Sequence, residues 1–63
     1  MATVAMKPEH PRLRAEKYRN KAEELRSIAA TLKSVAAQRM FLEMASDYIH
    51  MAEILERVAN RPA

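Results

Sequence analysis

Apolar positions fall on two helical stripes. In the first half of the chain Ala15, Tyr18, Ala22, Leu25, Ala29 and Leu32 recur at alternating steps of three and four. Phe41, Ala45, Tyr48, Ala52, Leu55 and Ala59 do the same in the second half. Alternating steps of three and four make a heptad seam, the pattern of one helix packed along another. Both stripes carry the phrase A-x-x-Y-x-x-x-A-E-x-L, in copies thirty positions apart. At about 100° per residue, that offset turns the second stripe about 120° away from the first, so one continuous helix cannot offer both to a single partner. The pattern therefore predicts two helices, over about 11–32 and 35–60, with a break at Lys33-Ser34. Ser34 is suited to cap the second helix and Pro11 to open the first. Residues 1–10 and 61–63 are expected to be flexible tails.

The fold class expected is all-α: an antiparallel two-helix hairpin that dimerises into a four-helix bundle. A tight turn at 33–34 sets the register. It places Ala22 opposite Ala45, Ala15 opposite Ala52 and Ala29 opposite Gln38. Leu25 then meets Phe41, and Tyr18 meets Tyr48. Small layers alternate with large ones, so the helices can approach closely.

Outside the seam the helices differ. Helix 1 is flanked mainly by charge, with Arg12, Arg19, Arg26 and Lys33 on one side and Arg14 and Lys21 on the other. Helix 2 is flanked by Leu42 and Ile49 on one side and by Met44, Met51 and Val58 on the other, with Met40 and Ile54 extending the apolar arc. A lone hairpin would leave these bare, and bare apolar strips mark association surfaces. The expected oligomer interface is Leu42, Met44, Ile49, Met51, Leu55 and Val58, with helix 2 as shared interior and helix 1 as outer wall.

Composition supports this picture. Sixty-three residues without Cys make one small domain, with little burial of its own and no disulfide to staple it. Gly is absent and the three prolines lie near the ends, so nothing interrupts the helices. No apolar run could span a membrane and no signal-peptide pattern opens the chain, so a cytoplasmic protein is expected.

Candidate chemistry is sparse. The net charge is +3, and a cationic row on helix 1 made of Arg12, Lys17, Arg19, Lys21 and Arg26 could meet nucleic-acid phosphates. The same side chains could instead lie along helix 2 and pair with its acids, Arg12 being expected near Glu56. Asp47-x-x-His50, with Glu43 and Glu53, has the spacing of a carboxylate–histidine metal unit, but it points away from the seam, where bundle metals sit. Met40, Met44 and Met51 read as packing rather than a soft-metal site. Ser27, Ser34 and Ser46 lack a His–acid partner. No enzyme activity, cofactor, metal or small-molecule substrate is expected.

The paired A-x-x-Y-x-x-x-A-E-x-L motifs over residues 12–60 resemble those of short proteins from alphaproteobacteria, especially the rhizobial group. There the turn before the second helix often looks like Asp-Pro-Glu; here Ser34-Val35-Ala36 stands in its place. That resemblance implies a helical hairpin and supplies no activity and no site residues. The architecture is also similar to that of the ROP protein, a dimeric helical hairpin that binds paired RNA loops, although no residue motif is shared with it. The function expected is a self-associating structural or protein-interaction module. The alternative is ROP-like RNA or DNA binding through helix 1, and a heteromeric protein partner is also compatible.

Overall fold

The computed structural model describes residues 9–61. It contains two helices, α1 (Pro11–Thr31) and α2 (Val35–Ala59), packed against each other as a hairpin. Each helix ends one residue short of the expected bound, because Leu32 and Asn60 serve as C-caps. Residues 1–8 and 62–63 of the expected tails lie outside the described residues. Glu9 and His10 do not behave as a tail: Glu9 pairs with Lys17, and His10 is the N-cap of α1. The His10 Nδ1 atom accepts from the Arg12 N–H at 3.1 Å. Pro11 follows, where its missing N–H costs nothing.

The break between the helices is made without glycine. Leu32 and Ser34 both take extended backbone conformations, and no described residue has positive φ. The Ser34 hydroxyl accepts from the Ala37 N–H at 3.2 Å, capping α2. At the end of α1 the last carbonyls need donors. They find one on the other helix. The Gln38 amide nitrogen donates to the Ala29 carbonyl at 3.1 Å and to the Leu32 carbonyl at 2.8 Å. One half-buried side chain of α2 thus closes α1 and fixes the height at which the two helices meet.

The core sits along the alanine seam. Ala15, Ala22, Ala29, Ala45 and Ala52 are buried, and Leu25 is the one larger side chain among the buried residues described. Ala22, Leu25 and Ala45 form its centre, with Phe41, Tyr48 and Ile49 packed against them. The Tyr18 and Tyr48 rings meet with centroids 5.7 Å apart and planes tilted by 34°. Small residues in the seam bring the helices close, while Tyr18, Leu32, Phe41, Tyr48 and Leu55 stay half-buried at its edge.

Candidate interaction surface

The hairpin has two broad faces, one on each side of the alanine seam. On the first, the α1 flank carries Arg12, Arg19 and Arg26, and the α2 flank carries Val35, Leu42, Ile49 and Glu56. Arg19 Nε and Nη2 both donate to the Glu56 carboxylate, each at 2.7 Å. Arg12 Nη2 donates to Asn60 Oδ1 at 3.2 Å. Arg26 lines an open groove with Leu42, Ala45, Ser46 and Ile49. Three arginine side chains thereby extend from α1 toward α2 over its Leu42 and Ile49 flank.

Glu56 thus pairs with Arg19, not with Arg12 as the register suggested. The reason is the lean of helical side chains toward their own N-terminus. In an antiparallel pair, long side chains on facing helices lean in opposite directions. Arg19 and Glu56 start about two turns apart in height and reach toward each other. Arg12, at the level of Glu56, leans past it and reaches Asn60. Alanines have no length to lean with, so their pairing follows the backbone register alone. The bidentate bond from Arg19 holds the Glu56 carboxyl below the usual carboxylate range, and the same bond raises the Arg19 guanidinium.

On the second face the α1 flank carries Arg14, Lys17, Lys21 and Ile28. The α2 flank carries Met40, Met44, Met51, Leu55 and Val58. Lys17 pairs back to Glu9, and Lys21 pairs along its own helix with Glu24 at 3.5 Å. Among the described residues no salt bridge or side-chain hydrogen bond crosses from α1 to α2 on this face. Met44, Met51 and Val58 are 43%, 45% and 46% exposed, Ile28 43%, and Met40 61%. Val35 and Leu42 on the first face are no less exposed, at 67% and 48%, but there polar side chains of α1 reach across to α2, whereas the apolar strip of the second face has no such neighbour.

The residues expected to form one interface are therefore divided. Met44, Met51, Leu55 and Val58 share the second face. Leu42 and Ile49 lie on the first, about 140° or more around α2 from Met44, Met51 and Val58. Ile49 also packs on the core cluster. The basic row is divided in the same way, with Arg12, Arg19 and Arg26 on the first face and Lys17 and Lys21 on the second. No single surface presents all five cations to a phosphate backbone. Arg19 spends its planar fork on Glu56.

Glu43, Asp47, His50 and Glu53 lie along the exposed back of α2. His50 Nδ1 is 3.7 Å from Glu53 Oε1. Among the described residues no three acidic, histidine or cysteine groups are placed to hold a metal ion. No described helix is long and apolar enough to cross a membrane.

Among the contacts not anticipated from the sequence are the Arg19–Glu56 pair, the His10 cap and the two hydrogen bonds from Gln38. Histidine is not among the usual capping residues. Gln38 was placed opposite Ala29, and that pairing was the signal that its amide would reach the end of α1. No protein family, no curated protein and no solved structure matches this chain. Roles for its residues rest on geometry alone.

Proposed function

We propose that this chain is a non-catalytic helical module that self-associates through α2, as a dimer forming a four-helix bundle, and serves a structural or protein-interaction role. The observation that carries this reading is the imbalance between what the hairpin buries and what it leaves bare. Among the described residues the buried core is five alanines and Leu25, while nine large apolar side chains remain more than 40% exposed. Alanine contributes little burial, so a hairpin with this core gains much by covering Met44, Met51, Ile54 and Val58. Apart from half-buried Gln38, which bonds backbone carbonyls of α1, the polar side chains are held by surface pairs or stand in solvent, with no buried polar side chain among the described residues. A pocket-borne nucleophile, acid or base has no counterpart in that arrangement.

Sedimentation equilibrium at micromolar concentration tests the reading. A dimer or higher oligomer is expected, and a folded, stable monomer would overturn it. The alternative of nucleic-acid binding through helix 1 loses its single cationic face to the division of the arginines from the lysines.

A further inference from the structure

Resting on that reading, we propose which surface the second copy covers and how it is turned. The second copy lies on the face of Met44, Met51 and Val58. Its α1 lies against the first copy's α2, and its α2 against the first copy's α1, about a two-fold axis parallel to the helices.

The choice of face follows from what each helix offers in three directions. In a four-helix bundle every helix touches two neighbours and also faces a shared interior. On α1 the alanines Ala15, Ala22 and Ala29 face α2. Next around the helix come Tyr18, Leu25 and Leu32, and beyond them Arg14, Lys21 and Ile28. On α2 the same order runs from Ala45 and Ala52, through Phe41, Tyr48 and Leu55, to Met44, Met51 and Val58. Tyr18, Lys21, Leu25, Ile28 and Leu32 are spaced three and four apart, as are Met44, Tyr48, Met51, Leu55 and Val58. Each helix thus carries a second heptad seam sharing its large residues with the first. A bundle closed on this side has Tyr, Leu, Phe and Met in its interior. Closed on the opposite side, the interior would hold Arg19, Arg26, Gln38 and Glu56, whose burial costs far more than it gains. The face is about 35 Å long and about 20 Å wide, in the range of the about 800 Å² per partner of a stable association.

Charge decides the turn of the second copy. An axis perpendicular to the helices would set α1 antiparallel against α1 and bring the Lys21 side chains of the two copies together near its middle. An axis parallel to the helices sets α1 against α2 and preserves height, so the partner levels are those within the hairpin. Since Ala22 is level with Ala45, Lys21 then comes within about one residue's rise of the height of Asp47 of the second copy, and Ile28 within the same of its Met40. Asp47 makes no ion pair among the described residues. Each cationic edge of α1 meets an apolar edge of α2 rimmed by an acid, rather than its own like.

The chain has no cysteine, so cross-linking is free of background. Two preparations, Ile28→Cys and Met40→Cys, are mixed, annealed and oxidised, and covalent dimers are counted on a denaturing gel. A disulfide-linked dimer is expected in the mixture and in neither preparation alone, because like positions sit on diagonal helices. A cross-link from a Met44→Cys and Met51→Cys mixture instead would overturn the proposed turn in favour of α2 against α2. Should either cysteine variant fail to fold, a second exposed pair gives a second test, since short side chains follow the backbone register. Lys21→Cys and Asp47→Cys should cross-link when mixed and not alone. No cross-link from either mixture would also overturn the pairing. A wild-type chain that sediments as a monomer overturns self-association itself, so the two failures are distinct.

Discussion

On one face of this hairpin three arginines extend from α1 toward α2, and one of them grips Glu56 with both arms of its fork. On the other face the cations turn back to acids of their own segment, and the methionines of α2 stand uncovered. The two faces share one seam, one register and similar side-chain lengths. What separates them is where the acids lie. Glu56 sits beside the seam at a height that Arg19 reaches by leaning toward its own N-terminus. The second face has no acid so placed, and Asp47 lies further around the helix. A helical pair can thus carry polar bonds between its helices on one side and none on the other without any change in its core.

The sharpest way to break this comparison is to put the same charge on each face. Met51→Glu should dissociate the dimer by about 100-fold or more, because its carboxylate would be buried against a second chain. Leu42→Glu, on the arginine face, should leave the dimer within about ten-fold of wild type. Sedimentation of both variants over a concentration series reads the difference. Equal weakening would mean that the two faces are not distinguished by a partner.

A smaller effect is expected at the turn, which both faces share. Gln38→Ala removes two hydrogen bonds, leaving the Leu32 carbonyl to water and the Ala29 carbonyl with the Leu32 N–H at 3.2 Å. It should cost about 1–2 kcal/mol of hairpin stability, while Ser34→Ala should cost about 1 kcal/mol through the lost cap. Denaturant melts at one fixed concentration measure both. A Gln38→Ala variant as stable as wild type would show that water caps α1 equally well.

These residues also show where the sequence was informative. The alanine seam and the Tyr18–Tyr48 layer were legible because heptad spacing and a short turn fix the heights of short or centrally placed side chains. The division into two faces was half legible. Leu42 with Ile49, and Met44 with Met51 and Val58, were seen as opposite flanks of α2. Grouping them as one interface ignored that a single partner surface cannot cover both. The Arg19–Glu56 pair was missed because side-chain lean, unlike backbone register, grows with side-chain length. The His10 cap was missed because a ring nitrogen can accept where an oxygen is usual. The partner chain, which would complete the surface, leaves only exposure and charge in the sequence of one subunit.

Salt separates the faces more gently. The Arg19–Glu56 pair is exposed, so added salt should screen it and the stability it brings should shrink. Arg19→Met keeps much of the apolar stem and removes the fork. Its melting temperature should therefore approach that of wild type as salt rises. Dimer affinity should be nearly indifferent to the substitution, since the pair lies on the face away from the one proposed for the second copy. An Arg19→Met dimer markedly weaker than wild type at all salt concentrations would place the partner on the arginine face.

The smallest effect expected is with acid. Hydrogen bonding by Arg19 holds the folded-state carboxyl of Glu56 below its ordinary range. A carboxyl depressed on folding adds stability that is fully present above its unfolded pKa and is lost as pH falls through the folded one. The raised pKa of Arg19 works the other way, its share being lost only as pH rises through a folded value above the ordinary arginine range, outside any working range. Acidification from neutral pH through the carboxylate range should therefore lower the melting temperature of wild type more than that of Glu56→Gln, which has no proton to take up there. The two should differ most at neutral pH and converge in acid. Parallel curves would mean that the bidentate bond is not populated in solution. The arginine face would then be closed by nothing more than side-chain stems, and the contrast with the methionine face would reduce to exposed apolar area alone.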